Sequence, residues 1–256
     1  MDSLELNKQI AYKGKIGKQR AEFCIRYIKH KKLLLSRIQQ KILAQIEESN
    51  KKLTCYKGCS FCCVLYIEAS IQECEAIVYY LYQNQNTLSL FLQNYAEWRE
   101  EMRRSGDIFK RCEQALHEKR NAEQNANNQQ TLADLLLFYK MQNIPCPFLH
   151  KQICTIYEVR PYTCANHYVT TPSHWCNPMN PKQPEVHKTT IEEEIFDLTF
   201  YVKNLYKPLI LFMPLAVYEI LNSGFSCLSN MTGFTELANV TSDPEISAIL
   251  EKNRHD

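Results

Sequence analysis

CYKGCSFCCVLYIEASIQE, residues 55–73, sets a loop of four cysteines directly before a helix start. The spacing is Cys55-x3-Cys59-x2-Cys62-Cys63. Thiolates two or three residues apart converge on one centre when the intervening turn folds the chain back, and Gly58 supplies the backbone freedom for that turn. A disulfide between neighbours Cys62 and Cys63 would strain the peptide that joins them. Side chains of adjacent residues also diverge, so one of the pair can complete a first centre while the other serves a second centre or stays free. Ser70 and Glu73 have the spacing of a capping box, which satisfies the orphan backbone donors of a helix start. Ile67, Ile71, Cys74, Val78 and Leu81 follow at intervals of three or four and predict one buried stripe.

Upstream, residues 1–54 carry 13 Lys and Arg against 5 Asp and Glu, an excess of 13 − 5 = +8 within a chain whose net charge is +2. Such an arm could meet nucleic acid. However, Ile25, Ile28, Leu35, Ile38, Ile42 and Ile46 recur between the lysines at helical intervals, so residues 18–49 read as an amphipathic helix with a solvated basic face. Nucleic-acid binding is the weaker reading. Downstream, helical pattern covers residues 88–120, the polar run NAEQNANNQQ (121–130) reads as a surface loop, and a short helix is expected over Leu132–Met141.

The character then changes. Seven of the 10 prolines, at 145, 147, 161, 172, 178, 181 and 184, fall within 40 residues, where each removes a backbone donor. Regular hydrogen bonding cannot carry such a stretch, and long unstructured loops are uncommon in compact domains unless something else orders them. The same stretch holds Cys146, Cys154, Cys164 and Cys176. A metal shared with Cys55, Cys59, Cys62 and Cys63 would staple it to the early loop across the 82 residues between Cys63 and Cys146. Ligand binding energy would then be folding energy, on the order of 10 kcal/mol for a well-formed thiolate site. Helical pattern returns over 190–222 and near 244–252. The expected fold class is therefore mainly α: a single helical domain over 1–256 with two irregular cysteine-rich loops joined by metal. Its parts are a basic N-terminal helix (1–51), a cysteine-cluster core (52–178) and C-terminal helices (190–256).

Composition agrees. The 256 residues are 45% hydrophobic and 23% charged, enough for a sizeable core. Only 6 glycines count against a phosphate-cradling nucleotide fold and a many-turned barrel. The N-terminal stretch has no apolar leader, and the longest apolar run, Leu209–Val217, contains Pro214 and is too short to span a bilayer. These features lead to the expectation of a cytoplasmic protein without a membrane span. In a reducing cytosol the 12 cysteines serve as metal ligands more plausibly than as disulfides.

CYKGCSFCC (55–63), the helix start SIQE (70–73) and CPFLHKQICTIYEVRPYTC (146–164) together resemble the YkgJ-type cysteine-cluster family, a zinc- or iron-chelating domain, over about residues 52–178. The resemblance implies metal chelation by the eight clustered cysteines and no defined reaction. Ala165 stands where similar sequences often carry arginine after Cys164. The cysteine pattern is also similar to that of flagellin lysine-N-methylases, which implies an alternative as a SAM-dependent protein lysine N-methyltransferase. Cys55-x3-Cys59-x-Phe61-Cys62 further fits the radical-SAM cluster spacing, but a glycine-rich SAM-binding run and an alternating strand-helix pattern are missing.

Thiolates suit both zinc and iron, the latter as an ion or as a [4Fe-4S] cluster. Lys57 and Arg160 would offset part of the thiolate charge, and Tyr157, Glu158 and Arg160 could order the second loop. His150, His167 and His174 lie within the second group, and His167 is the best placed of them to replace a cysteine as ligand. Cys24, Cys74, Cys112 and Cys227 read as core or isolated thiols. Metal binding is the expected function, with an accessory metal protein, a cluster-dependent methyltransferase and a metal carrier as its possible forms. No catalytic residue, substrate or protein partner is assigned.

Overall fold

The structure is a computed structural model, and it describes residues 12, 14–106, 108, 110–112, 114, 126–188 and 210–224. The expected C-terminal helix near 244–252 and Cys227 lie outside the described residues. Within them the chain is mainly α, as the sequence predicts, with three two-stranded antiparallel pairs as its only sheet. No described helix is long and apolar enough to cross a membrane.

Helix α1 runs Gly14–Glu48. Its buried side reads Arg20, Cys24, Tyr27, Lys31, Ile38, Ile42, Ile46, a single stripe at steps of three, four or seven. Ile25 is 52% exposed, which corrects its expected place on that stripe. The reason is that two cations belong to the stripe. Arg20 and Lys31 are buried against Glu75 and Glu73 of the next helix, and a reading that follows only apolar residues slips by one position.

Strand β1 (Glu68–Ser70) leads straight into α2 (Ile71–Gln83). The capping box is complete: the Glu73 backbone N–H donates to Ser70 Oγ, and the Ser70 N–H donates to Glu73 Oε2. All five residues of the expected stripe are buried. Helix α3 spans Gln85–Arg104 and ends at Ser105–Gly106, where Gly106 takes a left-handed φ of 77°. The continuous helix expected over 88–120 is thus broken. Beyond that turn, residues 108, 110–112 and 114 are helical. Helix α4 covers Ala126–Met141, so residues 126–130 of the expected polar loop are helical instead. Extending an existing helix costs far less than starting one, and polar Asn and Gln do not oppose it strongly.

Next come the short strands β2 (Leu149–His150) and β3 (Ile153–Cys154), the single turn α5 (Tyr162–Ala165), β4 (Tyr168–Val169), a 3-10 turn (Ser173–Cys176) and β5 (Val186–His187). β2 pairs with β3, and β4 with β5. Strand β6 (Ile210–Phe212) pairs with β1 in the register Glu68↔Phe212, and helix α6 (Met213–Ser223) follows at once. A helix was expected over 190–222; residues 210–212 are strand, and 189–209 lie outside the described residues. A short apolar run does not distinguish strand from buried helix, and Pro214 sits in the first turn of α6, where its missing N–H costs nothing.

The β1–β6 pair delivers α2 and α6 side by side, and the main core lies between them, α3 and the second cysteine loop. Aromatic stacks tie it together: Phe91 of α3 on Phe148 at 4.3 Å, and Tyr66 on Phe212 at 4.0 Å. Phe148 follows Cys146 by two residues and is 1% exposed, so its burial, worth about 1.5–3 kcal/mol, pins the second cysteine loop to the helices.

Candidate metal centre

The first cysteine loop is built from successive turns. The Cys59 N–H donates to Tyr56 O, the Cys63 N–H to Ser60 O and the Leu65 N–H to Cys62 O. Gly58, at φ 99°, occupies a conformation that a side chain would oppose. Each turn folds the chain back, as the spacing predicted.

The second loop meets the first through the backbone. The Cys146 N–H donates to Cys63 O at 2.8 Å, and the Thr54 N–H donates to Val169 O at 2.9 Å. Asn94 of α3 reaches across and donates to both Pro147 O and Leu149 O at 3.1 Å, bracketing the segment after Cys146. Cys154 ends the β2–β3 hairpin, and Cys164 lies on α5. Glu73 holds α5 in place. While capping α2 through Oε2, it accepts the Tyr162 N–H on Oε1 at 2.7 Å, and Oε1 also pairs with Lys31 Nζ at 2.8 Å. One buried carboxylate therefore joins α1, α2 and the turn that carries Cys164.

These elements enclose a cavity of about 100 Å³. Six of the eight expected ligands line it: Cys59, Cys62, Cys63, Cys146, Cys154 and Cys164. Cys55 and Cys176 stand outside its wall. Cys55 Sγ accepts the Val169 N–H at 3.2 Å and faces the His167 carbonyl at 3.9 Å, while Cys176 is buried at the end of the 3-10 turn. All eleven cysteines among the described residues are free thiols. Among the described residues no three His, Cys, Asp or Glu side chains already stand grouped as a finished ligand set. The thiols are neighbours around a space, and backbone hydrogen bonds join their loops.

The electrostatics follow from burial first and from the crowding of the thiols second. Burial pushes Cys146 up to about 12, and burial with the fields of Cys62, Cys55 and Cys59 pushes Cys176 to about 12. Burial first, then Cys146, Cys62 and Cys154, raises Cys164 well above an ordinary thiol. Cys62 departs from this trend: a hydrogen bond from Cys63 brings it down to about 7, with Arg160 contributing, and the Cys63 thiol rises in return. Arg160 also opposes the rise at Cys55, Cys154 and Cys164. Its guanidinium lines the cavity and lies 3.9 Å over the Tyr157 ring, with Lys57 5.9 Å from the same ring. Glu158, by contrast, turns outward to an exposed ion pair with Lys32.

Of the three histidines, His167 lines the cavity, and burial with Lys188 and Lys140 lowers it to about 4, so its imidazole is neutral. His150 lies in β2 and His174 on the 3-10 turn. Cys24, Cys74 and Cys112 are fully buried in the core, as expected. The role of Glu73 beyond its own helix was not legible: the capping motif identified one of its oxygens and carried no sign of the other.

A donor set of thiols with one neutral imidazole is the soft set that zinc and iron-sulfur centres take, and a cation would offset both the burial and the mutual repulsion that raise these thiols. Neither a search of curated proteins nor one of solved structures finds a match. Residues 54–179 match the CxxCxxCC family model, described as "Putative zinc- or iron-chelating domain". The matched segment contains all eight clustered cysteines, six of which line the cavity.

Proposed function

We propose that the protein binds zinc or iron through Cys55, Cys59, Cys62, Cys63, Cys146, Cys154, Cys164 and Cys176, within a single domain whose metal-binding core is 52–178. The observation that carries this reading is the cavity: six of those thiols, drawn from stretches 82 residues apart, line one space beside a guanidinium. Free thiols throughout the described residues support a reducing compartment, and the cytoplasm fits it. Bound metal would take the place of thiol protons, so that binding releases protons and weakens in acid.

An iron-sulfur form is the second reading. It is favoured by the spacing Cys55-x3-Cys59-x2-Cys62. Anaerobic purification followed by metal and acid-labile sulfide analysis tests both. Zinc without sulfide supports thiolate chelation, iron with sulfide supports a cluster, and protein free of both metals refutes the proposal.

A further inference from the structure

We infer that the mouth of the cysteine cavity is an anion site, formed by Arg160 and Lys57 around the ring of Tyr157, which takes in metal as an anionic carboxylate complex in preference to the bare dication. This inference rests on the metal-binding reading above and adds the form in which the metal arrives.

The cavity has a closed end and an open one. Ile67, Phe148, Ile156 and Met213 line it and are buried, so they form its floor. At the other end Tyr157 and Gln152 are exposed and Arg160 is half-buried. Exposed Lys57 continues that rim, next to Gly58 of the cavity wall. A ligand from solvent enters past these residues.

Charge at the rim has one sign. Among the described residues no Asp or Glu lines the cavity. The Arg160 guanidinium lies 3.9 Å over the Tyr157 ring and Lys57 Nζ 5.9 Å from it, so a single aromatic ring gathers two cations. Stacking occupies the flat face of a guanidinium and leaves its in-plane N–H donors for an acceptor. Among the described residues, neither Arg160 nor Lys57 has an ion pair with a carboxylate. Glu158, whose carboxylate also feels Lys57, instead accepts from Lys32 Nζ at 2.9 Å. Free donors of this kind suit a carboxylate, and two adjacent cations repel a bare dication. Arg160 alone, within the wall, could serve as a counter-charge for the sulfurs. Lys57 adds charge further out, where an incoming ligand meets it first. A cleft walled by one sign and floored by apolar groups raises the arrival rate of the opposite charge by about tenfold or more.

Loading is then a ligand exchange with no change of oxidation state. Metal–oxygen bonds to the carrier break as metal–sulfur bonds form, each thiol that binds releases its proton to solvent, and the carrier leaves as a free anion.

The test uses the whole chain freed of metal. Cobalt(II) stands in for zinc, because its thiolate charge-transfer absorption reports binding as it happens. It is supplied either as the bare ion in a non-coordinating buffer or as the anionic cobalt citrate complex, with citrate added stepwise at fixed total cobalt. In the parent, the initial rate should hold or rise as citrate converts the ion to the complex. Arg160→Gln and Lys57→Gln should each slow uptake from citrate, together by about tenfold, without slowing uptake from the bare ion. Added salt should narrow the difference between parent and variants, and Lys29→Gln, an exposed charge on α1, should behave as the parent. Lys57 is exposed, so its substitution reads the effect without disturbing the core. A parent rate that falls in proportion to the remaining bare ion, or variants that slow both sources alike, overturns the anion site but leaves metal binding intact. A chain that develops no thiolate–cobalt absorption from either source overturns both.

Discussion

Replacing Glu73 with glutamine separates two jobs that this side chain performs. Glutamine keeps one acceptor oxygen of the two, so that either the Ser70 or the Tyr162 N–H loses its partner, and it removes the charge that faces Lys31 Nζ at 2.8 Å. The Glu73 side chain is 3% exposed and that of Lys31 10%, so an ammonium with the Val159 carbonyl at 3.5 Å but no counter-charge would be left in a poorly solvated place. Breaking a buried pair from one side costs about 3–5 kcal/mol, whereas removing both charges together is often close to neutral. Glu73→Gln should therefore destabilise by about 3–5 kcal/mol, and adding Lys31→Met should recover part of that, leaving about 1–3 kcal/mol for the backbone N–H that glutamine cannot satisfy. Lys32 provides the contrast. It also forms an ion pair, with Glu158 at 2.9 Å, but the side chains are 52% and 66% exposed, so Lys32→Ala should cost under about 1 kcal/mol. Denaturant unfolding of the parent and these three variants at neutral pH, compared at equal m-value, measures all of these terms. A Glu73→Gln loss no larger than that of Lys32→Ala, or a double variant as unstable as the single, would refute the reasoning that this pair is buried and bridges α1 to α2.

Other consequences concern the second loop and its surroundings. Asn94→Ala removes two hydrogen bonds to the segment after Cys146 and should cost about 1–3 kcal/mol, with faster hydrogen exchange across residues 149–156 than elsewhere. Lys151 and Gln152 both hold positive φ, 48° and 65°, in the two-residue loop between β2 and β3, so Lys151→Asn with Gln152→Gly should stabilise the protein by about 1 kcal/mol and raise Tm; an unchanged or lower Tm contradicts the turn. His167 is held near 4 by burial and by Lys188 and Lys140, below the ordinary histidine value near 6.5. Between those values the unfolded chain takes up a proton that the folded chain refuses, so stability falls as pH drops from about 6.5 to 4, by up to about 3 kcal/mol from this residue. His167→Gln should flatten that part of the stability–pH curve, and an identical slope in both proteins would exclude the buried neutral imidazole.

The helical stripe of α2, its capping box and the turn-rich first cysteine loop were legible because each is written in local spacing: Ser70 and Glu73 three apart, Ile71, Cys74, Val78 and Leu81 along one face, Gly58 between thiols. The convergence of distant cysteines was legible from chemistry alone, since proline-rich chain around Cys146 needs some other source of order. What escaped was set by tertiary partners. Ile25 gave up its place because Arg20 finds a carboxylate across the helix interface. Residues 210–212 pair as strand only because β1 lies beside them, and the Lys151–Gln152 turn lacks the asparagine and glycine that announce such hairpins. Arg160 was legible as a counter-charge to the thiolates, but its stacking on Tyr157 depends on a chain path that spacing does not encode.

The central claim is that sulfur from both loops surrounds bound metal. X-ray absorption at the zinc or iron edge of protein purified without oxygen reads that arrangement directly. The account predicts a first shell made of sulfur at about 2.3 Å, lost in part when either Cys59 or Cys154 is replaced by serine. A first shell dominated by nitrogen and oxygen, or one indifferent to both substitutions, would contradict it.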